Sequence, residues 1–576
     1  MRVSKRAQEP SIEPYKAAGV LPHYTDRQSA NGDEIRDDLQ AGPLPSSRVG
    51  DITGAVFRTI PEMVARQAET LGDRQAIVDG STTLSFADLA EWVDEAARAL
   101  IASGIANGDR VAIWAPNMWE WIVCALAIHS VGGVMVPINT RYKGIEAAYL
   151  LDKSRAKALF TVTGFLGVDY LALLRGADAE LPELGQIIVL RGKASDGTMS
   201  YETFLARASE VSVAAAQERA ATVGPDHLAD ILFTSGTTGK PKGAMCTHEQ
   251  NLRVYDQWSS IIGLRESDRY LVVLPFFHSF GYKAGWFSAL MRGATIFPEP
   301  VFDVDVVLRR IQEDAITMLP GPPALYQSIL LHPKREHFDI SSLRLAVTGA
   351  AAIPVELIHR MKDELGFETV ITAYGLTESC GVVTMCRLDD DAETIATTSG
   401  RAIPNVEVRI VDSEGNSMPS DEPGEIVLRG YNVMKGYFDA PEETKKAIDE
   451  EGWLHTGDIG TLDERGYIKI TDRLKDMFIV GGFNAYPAEI ENTLLQMPGV
   501  GEVAVIGVPD ERLGEVGMAF VVPAPGQSLA PDAIIAWSRE NMANFKVPRR
   551  VELLDALPRN ATGKVVKFEL RERANG

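Results

Sequence analysis

Short apolar runs alternate with helical patterns along most of this chain, from about residue 51 to about residue 471. Runs such as Leu271–Pro275, Ile316–Pro320 and Leu343–Val347 end at turn residues, as buried strands do. Residues Pro354–Leu365 carry a helical pattern with a proline in the first turn and a glycine just past the end. Strands that alternate with helices build parallel or mixed sheets covered by helices, so the pattern predicts an α/β fold.

A second unit is predicted to begin near Asp472. Residues Val503–Val508 and Ala519–Pro523 have the composition of strands, and Pro531–Asn541 has that of a helix. At 576 residues the chain is too long for one hydrophobic core. The fold class predicted is therefore α/β, with a large N-terminal domain of mixed sheets and flanking helices followed by a small, mobile α+β C-terminal domain.

The first fifty residues mix both charge signs with prolines and glycines and contain no apolar stretch, which argues against a signal peptide. They are predicted to form a loosely ordered arm. The predicted division of the chain is an N-terminal arm (1–50), a large domain (51–471) and a mobile C-terminal domain (472–576).

Charge and cysteine content exclude several classes of function. A formal charge of -22 argues against nucleic-acid binding, which depends on lysine and arginine at phosphates. The four cysteines, none of them in a Cys-x-x-Cys pair, fit a reducing compartment without disulfides or a zinc site. No apolar run approaches the roughly 20 residues of a transmembrane helix, so a cytoplasmic location is expected.

A glycine- and hydroxyl-rich segment with two lysines follows an apolar, strand-like stretch that begins at Ile231. Such a segment can turn backbone N–H groups, hydroxyls and ammonium groups toward a phosphate chain. It is not a Walker loop, because Thr234 and Pro241 stand where that motif requires glycine and a hydroxyl residue. A flexible surface turn is the alternative. The candidate phosphate ligands are Thr234, Ser235, Gly236, Thr237, Thr238, Gly239, Lys240 and Lys242.

Four later clusters follow this segment in a fixed order. They are Ala373–Glu378 (AYGLTE), Gly452–Asp458 (GWLHTGD), Thr471–Glu491 with its TDRLKD, GGFN and YPAEIE stretches, and Pro558–Lys564 (PRNATGK). Together with the first segment, this series resembles the adenylate-forming superfamily, which includes acyl-CoA synthetases, nonribosomal-peptide adenylation domains and luciferase-like enzymes. The resemblance covers nearly the whole chain beyond residue 50. It implies a reaction in which a carboxylate attacks the α-phosphate of ATP and the acyl group then passes to a thiol.

The resemblance also implies roles in ATP binding. The segment Thr234–Lys242 would hold the β- and γ-phosphates, Thr377 would donate to the α-phosphate, and Glu378 would hold Mg²⁺. Without the motif, a tyrosine at the end of a strand would be interpreted as a packing residue. An aspartate at a turn would be interpreted as a helix N-cap or turn residue. The further residues implied for AMP are Gly349, Ala350, Ala351, Tyr374 and Gly375 around adenine, and Asp458 and Arg473 at the ribose.

Residues near the C-terminus carry the remaining roles. By resemblance, Lys564 bridges the substrate carboxylate and the α-phosphate, although such a lysine is otherwise a solvated surface charge. Lys475 stands at the position of the family's hinge, about which the smaller domain rotates after adenylation. That rotation would present Gly481, Gly482 and Phe483 to the pantetheine arm of CoA; a tight turn without a ligand is the alternative.

The segment that begins at Phe276 matches the family region that gates the acyl pocket. Its candidate pocket residues are His278, Phe280, Gly281 and Tyr282, with His278 as the gate or as a core histidine. No aspartate stands where amino-acid adenylation domains hold the substrate ammonium, and Asp230 reads as structural. An apolar acid is therefore expected, because an unpaired ammonium in an apolar pocket costs several kcal/mol. No carrier-protein segment follows Lys564, so free CoA is the expected acceptor.

Three stretches are similar to actinobacterial acyl-CoA synthetases that activate the propanoate side chain of steroid-ring degradation intermediates: Phe280–Gly285, Leu319–Ser328 and Thr384–Arg387. Branches that take medium- or long-chain fatty acids share much of this pattern. Lys283 is expected either to meet a polar group of the acid or to face solvent.

The predicted function is an ATP-dependent carboxylate:CoA ligase with Mg²⁺ as cofactor and ATP and CoA as co-substrates. A luciferase-like oxygenase and a non-catalytic acyl-adenylate-binding protein are the alternatives. The oligomeric state is open, with a homodimer as one candidate.

Overall fold

The computed structural model describes residues 57–235, 240–349, 353, 355–412, 414–473, 478–524, 526–558, 565 and 567–575. The predicted N-terminal arm lies outside these residues.

Helices and strands alternate through the large domain, as the sequence predicts. Its helices are α1 (Ile60–Leu71), α2 (Phe86–Ala102), α3 (Trp119–Ser130), α4 (Gly144–Ser154), α5 (Tyr170–Gly176), α6 (Tyr201–Ala206), α7 (Val213–Ala221), α8 (His248–Ile261), α9 (Ser279–Gly281), α10 (Ser288–Arg292), α11 (Val304–Glu313), α12 (Pro323–Leu330), α13 (Val355–Asp363), α14 (Ala392–Thr397) and α15 (Pro441–Ala447). Its strands are β1 (Gln75–Asp79), β2 (Thr82–Ser85), β3 (Arg110–Trp114), β4 (Val134–Pro137), β5 (Ala156–Phe165), β6 (Val168–Asp169), β7 (Gln186–Arg191), β8 (Met199–Ser200), β9 (Leu228–Ser235), β10 (Pro241–Thr247), β11 (Arg269–Val272), β12 (Thr295–Pro298), β13 (Leu345–Thr348), β14 (Thr369–Tyr374), β15 (Thr384–Met385), β16 (Arg401–Ala402), β17 (Val406–Val411), β18 (Gly424–Gly430), β19 (Leu454–Leu462) and β20 (Ile468–Arg473).

The described strands of the large domain form four sheets. The largest has the order β10-β9-β4-β3-β5-β7-β8, with β6 paired to β5, and its central strands are parallel. A second sheet has the order β11-β12-β1-β2 and a third the order β13-β14-β15-β16. The fourth, β17-β18-β19-β20, is antiparallel throughout. Mixed sheets with flanking helices are therefore confirmed.

Some helices show why the sequence folds locally as it does. α2 begins at a capping box, in which Ser85 and Asp88 satisfy each other's backbone N–H groups. α3 is buried along nearly its whole length, which agrees with its apolar residues on every face. A π-helical segment, Tyr282–Phe287, joins α9 to α10. π-turns of this kind are frequent near functional sites.

Two predicted strands are shorter in the structure. β11 ends at Val272, and just beyond this point the side-chain amide of Asn117 donates to the carbonyls of Val272 and Leu274. The predicted strand Ile316–Pro320 is reduced to isolated parallel bridges at Met318, which join β11 to β13. Pro320 has no N–H with which to continue the ladder.

The small C-terminal domain has the predicted α+β composition. It contains β21 (Phe478–Val480), β22 (Phe483–Ala485), α16 (Pro487–Leu494), β23 (Val500–Asp510), β24 (Gly514–Pro523), α17 (Pro531–Asn541), β25 (Arg550–Leu553) and α18 (Lys567–Asn575). The sheet order is β22-β21-β24-β23, with β25 parallel to β24. The predicted helix at Pro531–Asn541 is confirmed to the residue, and both predicted strands lie within the long hairpin β23–β24.

In the part of the chain that the structure describes, no helix combines the length and apolar character that a bilayer crossing requires.

Candidate active site

A cavity of about 1840 Å³ collects residues that are far apart in the sequence. Its walls come from the hairpin β9–β10, the turn after β14, strand β19, the segment after β11 and the first loop of the C-terminal domain. The predicted site residues that line it are Thr234, Lys242, His278, Phe280, Gly349, Tyr374, Gly375, Thr377, Glu378, Asp458, Gly481, Gly482 and Phe483.

The hairpin β9–β10 carries the predicted phosphate segment at its tip. Ser235 pairs with Pro241 and Thr234 with Lys242 where the two strands of the hairpin end. The ammonium of Lys242 lies 2.8 Å from Glu443 Oε2 and 4.8 Å from the centre of the Tyr437 ring. Hydrogen bonds from Lys242 and Lys446 lower the pKa of Glu443 to about 2. Lys240 is exposed at the end of the same connection.

Glu378 lies in a short 3-10 helix, Thr377–Ser379, which begins three residues after the end of β14. Its Oε1 accepts hydrogen bonds from the hydroxyls of Thr234, at 3.1 Å, and Tyr437, at 2.8 Å. Burial and the neighbouring carboxylate of Glu378 raise the pKa of Tyr437, which keeps this phenol protonated as a donor. The carboxylate of Glu378 thus joins the hairpin β9–β10 to the turn after β14.

Tyr374 and Asp458 form a second contact across the cavity. The Tyr374 hydroxyl donates to Asp458 Oδ2 at 2.7 Å, so the last residue of β14 is fixed to β19. Asp458 pairs in register with Arg473 on β20, whose side chain lies outside the described residues. The Asp458 carboxylate can accept further hydrogen bonds in addition to the one from Tyr374.

Gly375 follows Tyr374 at a place where the chain passes very close to another segment. A Cβ there would lie 2.2 Å from the carbonyl oxygen of Gly381. Real side chains do not tolerate such a distance to backbone, so only glycine fits. Gly349 is less restricted, since a Cβ would lie 3.1 Å from the Ala373 carbonyl oxygen.

His278 is the N-cap of α9, and its side chain is exposed to the cavity. Its Nδ1 accepts the backbone N–H of Phe280 at 3.3 Å. In the neutral ring the proton is therefore on Nε2, which leaves an N–H donor. Desolvation by the surrounding protein lowers the pKa of His278 and favours this neutral form.

Gly281 and Tyr282, which the sequence assigns to the acyl pocket, do not line the cavity. Gly281 packs against the backbone of Leu274 and Pro275, which do line it. Tyr282 is fully buried, and its hydroxyl lies 3.2 Å from His129 Nε2. Both residues therefore support the pocket wall from behind.

Lys283 neither meets the cavity nor faces solvent, so both expectations for it are wrong. Its side chain is 1 % exposed, and its ammonium lies 2.9 Å from Oδ1 of Asp230, which is 0 % exposed. Burial alone lowers the pKa of Lys283, but the charge of Asp230 outweighs burial and the net pKa rises. The structural reading of Asp230 is confirmed, because it also accepts a hydrogen bond from Asn251.

Gly481, Gly482 and Phe483 bring the C-terminal domain to the cavity. Both glycines have positive φ, 55° and 86°, in the turn between β21 and β22. The Phe483 ring stacks on Phe545 at a centroid distance of 5.0 Å, and the guanidinium of Arg141 from the large domain lies 5.0 Å from its centre.

Several predicted site residues fall outside the described part of the chain. They are Gly236, Thr237, Thr238, Gly239, Ala350, Ala351, Lys475 and Lys564, together with the side chains of Ser235 and Arg473.

Sequence reasoning missed Tyr437 and Glu443, which hold Glu378 and Lys242. Tyr437 stands in a Gly-Tyr-Phe stretch that by itself indicates only packing, and Glu443 belongs to a charged helix that reads as solvent-exposed. Neither position carries a signal in a single sequence, because each meets its partner only through tertiary contacts.

The comparisons with known proteins show the family of the chain. The family described as AMP-binding enzyme matches residues 64–438, and that described as AMP-binding enzyme C-terminal domain matches residues 489–564. The chain belongs to the AMP-binding enzyme family.

Individual relatives are similar to this chain over nearly its whole length. A 3-[(3aS,4S,7aS)-7a-methyl-1,5-dioxo-octahydro-1H-inden-4-yl]propanoyl:CoA ligase from Rhodococcus jostii (strain RHA1) is 51 % identical over 517 residues, covering 89 % of this chain and 98 % of the relative. A protein of the same description from Mycobacterium tuberculosis (strain ATCC 25618 / H37Rv) is also 51 % identical, covering 90 % and 99 %. The solved structure of the amide bond synthetase McbA from Marinactinospora thermotolerans is 29 % identical with a TM-score of 0.75, covering 89 % of this chain and 99 % of that one.

Fold, site and relatives together define the chemical class. The protein is an ATP-dependent carboxylate:CoA ligase, an acid–thiol ligase that forms an acyl-adenylate and then an acyl-CoA thioester. Its substrates are a small-molecule carboxylic acid, ATP and CoA. The luciferase-like and non-catalytic alternatives are not supported.

Proposed function

We propose that this enzyme activates the propanoate side chain of a bicyclic diketone derived from steroid rings, an indanedione propanoate. The observation that carries the proposal is the 51 % identity, over nearly the full length of both proteins, to two ligases named for such an acid. The chain's own residues agree with a compact apolar acid. Leu274, Phe277 and Phe280 line the cavity, whereas the nearby charges of Asp230 and Lys283 neutralise each other in the core.

The reaction has two steps, each with a defined bond change. In the first, a carboxylate oxygen of the acid bonds to the α-phosphorus of ATP and the bond to the β-phosphate oxygen breaks, releasing pyrophosphate. In the second, the thiol of CoA gives up its proton, its sulfur bonds to the acyl carbon, and the bond from that carbon to the phosphate oxygen breaks, which releases AMP. Charge on the phosphate oxygens grows during the first step, so fixed donors aimed at them lower its barrier.

The residues at the hairpin tip are proposed to supply those donors. Thr234, Lys242 and the backbone between them hold the β- and γ-phosphates, while Thr377 donates to the α-phosphate. Lys242 would exchange its bond to Glu443 for a phosphate oxygen. Lys564 is proposed to bridge the carboxylate and the α-phosphate as a point charge.

Mg²⁺ is proposed as the cofactor, held by Glu378. The Glu378 carboxylate fits a hard cation, which prefers oxygen ligands. The hydrogen bonds that it accepts from Thr234 and Tyr437 are both to Oε1. Within the described residues no group of three or more His, Cys, Asp or Glu could hold a metal. Phosphate oxygens and water would therefore complete its coordination. When bound, the ion would neutralise charge on the phosphates.

The nucleoside is proposed to lie between Tyr374, Gly375 and the segment 349–351, with Asp458 and Arg473 at the ribose. The two half-reactions are proposed to use different arrangements of the C-terminal domain, with Lys475 as the hinge. The arrangement described, in which Gly481–Phe483 line the cavity, supports a role in thioester formation. A cytoplasmic location and a homodimer remain predictions.

The test is pyrophosphate release from ATP across a panel of acids, with and without CoA. The panel contains short to long fatty acids, aryl acids and the indanedione propanoate. We expect CoA-dependent turnover with kcat/KM highest on the bicyclic acid. A maximum on linear chains would contradict the proposed acid but leave the ligase class intact.

A further inference from the structure

One lysine is almost completely removed from solvent where the C-terminal domain meets the large domain. The side chain of Lys546 is 2 % exposed, and its ammonium lies 2.6 Å from Glu146 Oε1. It also pairs with Glu489, and the centre of the Tyr142 ring lies 4.3 Å away. Glu146 lies in the first turn of α4 in the large domain, and Glu489 in the first turn of α16 in the C-terminal domain.

The two carboxylates differ in what would happen to them if the domains separated. Lys546 and Glu489 belong to the same domain, so their pair would move as a unit and remain intact. Glu146 is the carboxylate that reaches Lys546 from the large domain, beside the Tyr142 ring of the same domain. Burial tends to lower the pKa of Lys546, but Glu489, Tyr142 and Glu146 together raise it, so the ammonium stays charged at this contact. A charge-assisted bond of this kind is strong when desolvated.

The contact adjoins the wall of the active-site cavity. Phe545, next to Lys546, stacks on Phe483, and both rings line the cavity. On the other side, Arg141 precedes α4 and lies over the Phe483 ring. The Glu146 bond therefore fixes the same part of the C-terminal domain that brings Gly481–Phe483 to the site.

We infer that Glu146 is a positioning residue for thioester formation: through Lys546, it holds the C-terminal domain in the arrangement that receives CoA. The inference rests on the proposed function, since it requires the two half-reactions to use different domain arrangements. Loss of the bond should destabilise the CoA-accepting arrangement and shift the population toward the adenylating arrangement, so only thioester formation should fall.

The experiment is the variant Glu146→Gln, which keeps size and hydrogen-bonding capacity and removes the charge. The two half-reactions are measured separately in the full-length enzyme, with the acid that the wild type uses best. These are single-turnover pyrophosphate release and thioester formation from supplied acyl-adenylate and CoA. We expect thioester formation to fall about tenfold, a loss of about 1.4 kcal/mol, with pyrophosphate release within about twofold of wild type.

Glu146 also accepts the backbone N–H of Lys143 at the start of α4, so the control must separate capping from positioning. Asp88→Asn weakens the equivalent bond, from Ser85 N–H to Asp88, in a capping box distant in sequence. We expect this control to leave both half-reactions unchanged.

Equal loss of both half-reactions in Glu146→Gln, or no loss of either, would overturn the inference while the ligase assignment stands. A wild type that forms no acyl-adenylate from any acid would overturn the proposed function and the inference with it.

Discussion

Three charged side chains at the proposed ATP end of the cavity have specific protein partners. Lys242 is paired with Glu443, Glu378 accepts from Tyr437, and Asp458 accepts from Tyr374. Pre-formed bonds of this kind hold polar groups in place before a ligand arrives, which lowers the cost of ordering them on binding. The partners should therefore affect ligand affinity without touching the reacting atoms.

The variant Tyr374→Phe tests this at one bond. It keeps the ring proposed for adenine and removes the hydroxyl that donates to Asp458 at 2.7 Å. We expect the KM for ATP to rise about tenfold, equivalent to about 1.4 kcal/mol, because a hydrogen bond to a charged group is lost. Steady-state kinetics at varied ATP concentration measure this KM. Asp458→Ala should be more severe, and an unchanged KM in Tyr374→Phe would contradict the positioning role.

The buried pair Lys283–Asp230 gives a prediction for stability. Lys283→Met leaves the carboxylate of Asp230 without its counter-charge in the core, which costs about 3 to 5 kcal/mol. The double variant Asp230→Asn/Lys283→Met removes both charges, so we expect it to recover a large part of that loss. Urea unfolding followed by circular dichroism measures both. A double variant no more stable than the single one would show that the two residues are not coupled.

At the scale of elements, the large domain depends on polar groups that join helices inside the core. His248 begins α8, and its Nδ1 accepts the N–H of Ile60, the first residue of α1, at 3.3 Å. The ring lies 5.5 Å from that of His129. Burial lowers the pKa of His248 to about 3, and His227 contributes in the same direction.

This lowered pKa predicts a pH dependence of stability. Below about pH 6.5 the unfolded chain binds a proton at His248 that the folded chain rejects until about pH 3. His248 therefore does not lower the free energy of unfolding above about pH 6.5. As the pH falls from 6.5 toward 3, the free energy of unfolding decreases, with a slope approaching about 1.4 kcal/mol per pH unit.

The variant His248→Gln should remove this contribution. We expect the difference in unfolding free energy between variant and wild type to shrink as the pH falls from 7.5 to 5. Denaturant unfolding at several pH values measures it. Parallel curves for the two proteins would rule out His248 as a source of acid sensitivity.

At the scale of the whole molecule, the two domains must each contribute to one cavity. Phe483 and Phe545 from the C-terminal domain and Arg141 from the large domain meet at its edge. A chain with one active site and two half-reactions can reuse this space if the smaller domain moves between them.

The predicted hinge is tested by Lys475→Pro. Proline fixes φ and removes a backbone donor, so rotation at this position should be restricted. We expect pyrophosphate release to be retained and thioester formation to be suppressed, as measured with ATP and with supplied acyl-adenylate. Lys475→Ala is the matched control, because it removes the side chain but leaves the backbone free. Normal thioester formation in Lys475→Pro would count against rotation at this residue.

The order of elements and the chemical class could be predicted from the sequence. Periodicity and turn residues are local signals, which is why the sequence predicts α17 to the residue and places a strand within each of β23 and β24. The ordered motifs carry Thr234, Glu378, Tyr374 and Asp458, and the structure brings these residues to one cavity.

Only the tertiary structure decided how those residues are held. Lys283 reads locally as a cation beside a pocket, yet the fold brings Asp230 from β9 to 2.9 Å from it and removes both from solvent. Tyr437 and Glu146 gain their roles in the same way, through partners that lie 59 and 400 residues away in the chain. Burial and electrostatic pairing depend on distances in space, and a single sequence records only distances along the chain.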